Sequence, residues 1–272
     1  MKNLFDVTDK VIVLTGGGGV LCKGLAKSLS QRGAKTAIWD IDEEAGLKAA
    51  DEIKQAGGKS IAVECDVLDK KSVEKAKGKT IHQLGAIDVL INGAGGNSKQ
   101  ATTSEDISFF DLSEEALRFV FDLNFIGTFL TTQTVGRDMV SSGEGVIINI
   151  SSMSAFRPLT KIPAYSAAKA AVSNFTQWLA AHMCRNYSKD IRVNAIAPGF
   201  FLTEQNRFLL TDEKSGELTE RGKTIIDHTP MARFGQPEDL IGTVIWLISD
   251  ASEFVTGIVV PIDGGFSSFS GV

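Results

Sequence analysis

The stretch Val11-Ile12-Val13-Leu14-Thr15-Gly16-Gly17-Gly18-Gly19-Val20-Leu21 decides the fold. A short, unbroken run rich in Val and Ile meets four glycines, and a helix-forming segment, Leu21–Gln31, follows. Strands buried on both faces of a parallel sheet read as continuous apolar runs rather than as alternation. Glycines at the end of such a strand let the backbone approach a pyrophosphate. The next helix then offers free N–H groups and the positive end of its dipole. A tight turn with no ligand would read the same way, so the rest of the sequence must carry the argument.

Outward from that turn the same rhythm repeats. Apolar runs occur at Val11–Thr15, Thr36–Trp39, Ser60–Cys65, Val89–Asn92, Val146–Ile150, Arg192–Ala197 and Ile258–Ile262. Between them lie helical candidates at Leu21–Gln31, Glu43–Gln55, Lys71–Leu84, Glu114–Val140, Ala164–Tyr187 and Pro237–Ser249. This alternation predicts an α/β fold: one Rossmann-like domain over residues 1–272, a doubly wound parallel sheet of about seven strands with helices on both faces. Two segments break the pattern. Asn97–Ser113 is long and polar, and reads equally as a surface insertion. Phe200–Arg233 reads as a substrate loop or lid inserted at about 200–233, because long loops after strand ends are where ligands bind in such sheets.

Composition narrows the partners. The net charge is −5 without blocks of like charge, so no nucleic-acid or membrane partner is expected. MKNLFDVTDK lacks the apolar core of a signal peptide, and no run approaches the ~20 apolar residues of a membrane helix. Cys22, Cys65 and Cys184 are scattered, as are His82, His182 and His228, so no metal site is expected. The reading is a cytoplasmic protein with reduced thiols.

The chemistry is concentrated in Tyr165-Ser166-Ala167-Ala168-Lys169. Four-residue spacing puts Tyr165 and Lys169 on one helix face. An ammonium beside a phenol is expected to lower its pKa, making it a usable proton donor and acceptor for an alcohol–ketone pair. Taken alone, the pair is an ordinary helix face. Ser152, at the end of the fifth apolar run, is placed to hydrogen-bond a substrate oxygen, whereas Ser151 reads as a strand-end cap. Asp40, ending the second run, is placed to accept from ribose hydroxyls and to repel a 2′-phosphate. It favours NAD(H); Lys23 leaves NADP(H) possible.

Together these residues resemble the short-chain dehydrogenase/reductase family across nearly the whole sequence. The resemblance implies a catalytic set of Asn124, Ser152, Tyr165 and Lys169, with Asn124 supporting a water-mediated proton relay. It also implies a dinucleotide site built from Gly16, Gly18, Gly19, Val20, Leu21, Asp40, Asp66-Val67, Asn92-Gly93-Ala94, Tyr165, Lys169, Pro198-Gly199 and Thr203. Two departures stand out. The family pattern Thr-Gly-x-x-x-Gly-x-Gly has Val20 and Cys22 at its second and third glycines, and Asn-Asn-Ala-Gly has Gly93 at its second Asn. Cys22 is read as a packing residue.

More narrowly, Thr15–Leu21, Ser152–Ala168, Phe200–Arg207 and the ending Asp263-Gly264-Gly265-Phe266 resemble the D-mannonate oxidoreductases (fructuronate reductases) that bacteria build on this family's fold. That implies a sugar-acid substrate, D-fructuronate/D-mannonate, bound by Ser152, Ser154, Arg157, Tyr165 and Arg207. A guanidinium suits a carboxylate, although each arginine alone reads as readily as a solvated cation. A gluconate or polyol dehydrogenase, a 3-oxoacyl reductase, and a non-catalytic dinucleotide sensor remain alternatives. The resemblance further implies a homo-oligomer, a tetramer formed through the helices Glu114–Val140 and Ala164–Tyr187.

Overall fold

The computed structural model describes residues 3–202, 207, 210–212 and 216–271. Seven strands form one parallel sheet: β1 (Val11–Thr15), β2 (Lys35–Asp40), β3 (Lys59–Glu64), β4 (Val89–Asn92), β5 (Glu144–Ile150), β6 (Asp190–Pro198) and β7 (Val259–Ile262). Their order is β3-β2-β1-β4-β5-β6-β7. The backbone therefore winds outward from β1 in one direction and then returns to continue from β4 in the other. In such a sheet the crevice beyond the carboxyl ends of the two central strands is the binding position. Here those ends are Thr15 and Asn92, paired in register.

Each central strand feeds two cores. Ile12 and Leu14 point into one layer with Leu25 and Leu29 of α1 (Val20–Ser30), Ile53 of α2 (Glu43–Gln55) and Leu240 and Val244 of a C-terminal helix, Glu238–Ile248. Val11 and Val13 point into the other, with Val73 of α3 (Lys70–Leu84), Val135 and Met139 of α5 (Gly127–Ser142) and Phe175, Leu179 and Met183 of α6 (Pro163–Asn186). Two-sided burial is why the runs are continuously apolar. The period of two is present, but both phases are filled with hydrophobes.

The expected helix Glu114–Val140 is interrupted. It comprises α4 (Glu114–Phe121), a π segment Asp122–Ile126, and α5. The interruption falls on buried Asn124, whose Nδ2 donates to the Val120 and Gly96 carbonyls, both at 2.7 Å. A widened turn of this kind often accompanies a functional residue. Within the 200–233 segment a short helix, α7 (Glu220–Asp227), is capped by the Thr219 hydroxyl, which accepts from Gly222 N at 3.0 Å. The helix Glu238–Ile248 is then α8. Among the described residues no helix is long and apolar enough to cross a membrane, and no cluster of His, Cys, Asp or Glu could hold a metal.

Arg192, almost fully buried on β6, ties α8 to the sheet. Its guanidinium donates to the Leu247 carbonyl at 2.7 Å, the Ser252 hydroxyl at 2.9 Å and the Ser249 carbonyl at 3.2 Å. Removing it orphans buried carbonyls that no cap replaces. Arg192→Met is expected to lower stability by about 2–4 kcal/mol, read as a fall in the urea midpoint.

Candidate active site

At the carboxyl ends of β1, β4 and β5 lies a cleft of about 620 Å³, within the usual range for a ligand site. It brings together Gly16, Gly18, Gly19, Val20, Leu21, Asp40, Asp66, Val67, Gly93, Ala94, Ser152, Tyr165, Lys169, Pro198 and Gly199. These come from separate stretches of sequence, and only the sheet topology makes them neighbours.

The glycine turn is held from both sides. Gly16, at φ +61°, lies so close to the turn after β4 that an added Cβ would stand 2.9 Å from Ala94 Cα. The Thr15 hydroxyl accepts from Gly93 N at 3.0 Å and Ala94 N at 3.1 Å. On the other side Gly18 N donates to Asp40 Oδ2 at 2.9 Å, and Asp42 N to Oδ1 at 3.0 Å. Asp40 therefore fixes the turn as well as lining the cleft. No side chain caps the N-terminus of α1, which opens on this cleft through Gly19, Val20 and Leu21. An uncapped helix start, Cβ-free backbone and an acid at the far wall fit a dinucleotide: pyrophosphate at α1, ribose hydroxyls at Asp40.

The reactive end is built on β5 and α6. The Ser151 hydroxyl donates to the Lys169 carbonyl at 3.0 Å and is within 2.7 Å of the Ser173 hydroxyl, so it pins α6 to the sheet. Ser152 begins a 3-10 turn, accepts from Ser154 N at 3.2 Å, and hydrogen-bonds Tyr165. Lys169 is buried. Its ammonium donates to the Ile150 carbonyl at 2.8 Å and stands 5.6 Å from the Tyr165 ring centroid.

The electrostatics differ from the expectation that the lysine lowers the phenol. Burial pushes the Tyr165 pKa above its ordinary value, and the Ser152 hydrogen bond pulls part of that shift back. Burial pulls Lys169 down to about 8. The physical reason is that both groups share one desolvated pocket, and the ammonium is aimed at the Ile150 carbonyl rather than at the phenolic oxygen. Near neutral pH the pair is a protonated phenol beside a protonated lysine.

Asn92 does not face the cleft. Its side chain is buried between β5 and α5, donating to Thr132 Oγ1 and Asn149 Oδ1, both at 2.9 Å, and accepting from Thr131 Oγ1 at 2.6 Å. With those partners its amide is engaged in bracing the strand end. Asn124 does not line the cleft; it anchors Gly96, whose N donates to its Oδ1 at 3.3 Å. A Cβ at Gly95 would come within 2.5 Å of Asn124 Oδ1 and 3.3 Å of Lys169 Nζ, so that glycine separates the two polar groups. Ser154 is buried beneath the turn, and its hydroxyl has no partner among the described residues. Arg157 is exposed and donates through Nε to the Ser267 carbonyl at 3.2 Å, away from the cleft lining. Arg207 is also exposed. Thr203, with Glu204, Gln205 and Asn206, lies outside the described residues.

The cleft also contains residues that motif reading passes over, Ile41, Cys65 and Ile150, and it takes in Phe200 and Phe201 from the start of the expected substrate loop. Ile41 carries a signal, since it is an apolar residue between two aspartates and is largely exposed at 69%. Phe200 packs edge-on against Phe266 at 5.2 Å, joining the cleft wall to the C-terminal turn.

Comparison with known proteins agrees with this geometry. The family model described as enoyl-(acyl carrier protein) reductase matches residues 20–267. The chain belongs to the short-chain dehydrogenase/reductase family, and is an NAD(P)-dependent oxidoreductase acting on alcohol groups. It is 49% identical to the uncharacterised oxidoreductase UxuB of Bacillus subtilis, over 98% of both sequences. It is 34% identical to 5-keto-D-gluconate 5-reductase of Escherichia coli K12, over 97% of this protein and 98% of the relative. The crystal structure of a candidate D-mannonate oxidoreductase from Haemophilus influenzae with bound NAD is 47% identical, with a TM-score of 0.91 over 98% of each protein.

The Lys169 shift has a sign that can be measured. Unfolding returns the amine to about 10.5 from about 8, so between these values the unfolded state holds a proton that the folded one lacks. Wild-type stability relative to Lys169→Met is expected to rise by up to about 3 kcal/mol from pH 8 to 10.5, read from denaturant unfolding at each pH.

Proposed function

We propose that this protein interconverts a ketone and a secondary alcohol on a sugar acid, with D-fructuronate and D-mannonate as the pair and NAD(H) as coenzyme. The observation that carries the chemistry is the meeting of Ser152, Tyr165 and Lys169 at one end of a cleft whose other end carries Asp40. The substrate class rests on the likeness to the Haemophilus protein described as a D-mannonate oxidoreductase, and to the 5-keto-D-gluconate reductase.

Bound in the cleft, the nicotinamide would supply hydride transfer to or from carbon. The protein's own residues supply everything else. Ser152 orients the substrate oxygen against the phenol. Tyr165, protonated at neutral pH, donates its proton to that oxygen in reduction and accepts one in oxidation. Lys169 keeps its charge in a dry pocket, where it stabilises the phenolate left behind. Asn124, anchored to Gly96, would hold the relay that returns a proton to Lys169.

Asp40 supports NAD(H) over NADP(H), because a 2′-phosphate would approach a carboxylate already fixed in place. Lys23 is drawn toward Glu52, with Nζ 3.4 Å from Oε1, rather than held for a phosphate. For the substrate carboxylate the proposed partners are the exposed Arg157 and Arg207, with the buried Ser154 hydroxyl. Thr203 is proposed to complete the nicotinamide site, and the 200–233 segment to cover the substrate.

The apolar face of α5 and α6, with Phe129, Phe175, Trp178 and Tyr187 around a groove, is proposed to bury itself in a homotetramer. The reaction is assigned to the cytoplasm, where free Cys22, Cys65 and Cys184 stay reduced. A gluconate-type dehydrogenase is the second reading, favoured by the 34% identical reductase.

Ketonic and hydroxylated sugar acids tested with both nicotinamides, followed by absorbance, decide the substrate. The expected result is fastest turnover of D-fructuronate with NADH; a preference for 5-ketogluconate or for NADPH overturns the corresponding part. Tyr165→Phe is expected to bind coenzyme normally while kcat falls by at least about 10³-fold. Arg157→Ala or Arg207→Ala is expected to raise KM for the sugar acid and to leave a neutral polyol unaffected. Equal effects on both substrates would remove the arginines from the site.

A further inference from the structure

The two departures from the family patterns meet in space. Cys22 stands on the first turn of α1 and Gly93 opens the turn after β4. A Cβ added at Gly93 would overlap the Cys22 sulfur, and it would also stand 2.9 Å from the Thr15 carbonyl and 3.2 Å from Ile150 Cδ1. The sulfur thus fills the room that a side chain at position 93 would occupy. Around this point the two turns are locked, with the Thr15 hydroxyl bridging Gly93 and Ala94 and with Gly16 closed against Ala94. Gly16, Cys22, Gly93 and Ala94 all line the cleft.

Cys22 acts here by size, not by reactivity. It is 3% exposed, and burial, aided by the Asp40 charge, pushes its thiol up to about 12. It is therefore neutral at any working pH and a poor nucleophile. A close-packed contact of this kind transmits a change of one methyl group directly to the backbone it touches.

We propose that Cys22 is a positioning residue for the dinucleotide: its sulfur, wedged against Gly93, sets the separation between the phosphate turn and the β4 turn that together form the cleft floor. The inference rests on the cleft's taking NAD(H), but not on any substrate. It makes Cys22 and Gly93 one unit, so that a methyl at 93 is better tolerated when the sulfur at 22 is gone.

The test is a double-mutant cycle with Gly93→Ala, Cys22→Ala and the double variant. It reads the NAD+ and NADH dissociation constants by fluorescence titration and the Tm of the nucleotide-free protein. Gly93→Ala is expected to weaken binding by about tenfold or more and Cys22→Ala by about threefold or more, while the double variant is expected to bind several-fold more tightly than Gly93→Ala alone, short of wild type because the Thr15 carbonyl still stands 2.9 Å from the added methyl. Where Gly93→Ala alone fails to fold, a double variant that both folds and binds NAD+ supports the proposal equally. In the otherwise natural protein, Cys22→Ser is expected to bind normally and Cys22→Val to bind weakly, because only the latter adds bulk toward Gly93. Independent, multiplying effects of the two alanines would overturn the proposal. So would recovery of Tm in the double variant without recovery of binding, which would leave the pair a structural contact only. Loss of NAD binding in every protein, wild type included, would instead refute the dinucleotide reading of the cleft.

Discussion

Burial of a lysine ammonium beside a phenol is the constraint around which the rest of this structure is arranged. A charge taken out of water is costly unless something accepts its hydrogen bonds. Here the Ile150 carbonyl, at the very end of β5, is the acceptor, and it is free to serve because the strand stops there. The Ser151 hydroxyl then fixes the helix that carries the lysine. The penalty shows in the depressed Lys169 pKa, and the same desolvation keeps the Tyr165 proton in place. A site that bears this cost needs a rigid support, supplied by a sheet packed on both faces.

The second organising feature is the closeness of two turns. Parallel pairing of β1 with β4 in register delivers Thr15 and Asn92 side by side. The backbone beyond them is too close for ordinary side chains, hence Gly16 and Gly93. Asn92 looks inward and ties β4 to β5 and α5, so that the turn above it does not drift. The dinucleotide site is thus the space left over when two strand ends are fastened together, with α1 pointing its uncapped start into that space.

Much of this is legible in the residues. Two-sided burial writes itself as unbroken Val/Ile runs, and the seven strands fall on the seven expected runs, extended by a residue or two where a polar end such as Lys35 or Glu144 still pairs and leaving out the terminal Cys65 and Ile258. Tyr165 and Lys169 share a helix face because the helical period requires it. What cannot be read is anything set by direction rather than by position. Nothing in the string says that Asn92 turns inward, that Arg157 reaches for the Ser267 carbonyl, or that the long helix widens at Asn124 to free that side chain for Gly96. The meeting of Cys22 with Gly93 is equally hidden, because each departure looks like an isolated defect until the fold puts them in contact. The sign of the Tyr165 shift escapes for a related reason: proximity in sequence suggests Coulomb attraction, whereas burial is a property of the whole pocket.

The most direct measurement is an ultraviolet titration of Tyr165 in the nucleotide-free protein. The sequence has only two tyrosines, Tyr165 and Tyr187, so Tyr187→Phe leaves Tyr165 as the sole phenolate signal. Tyr165 is expected to ionise above the ordinary value of 10.0, with the phenol fully protonated at neutral pH. A phenolate already present near pH 7 would contradict it.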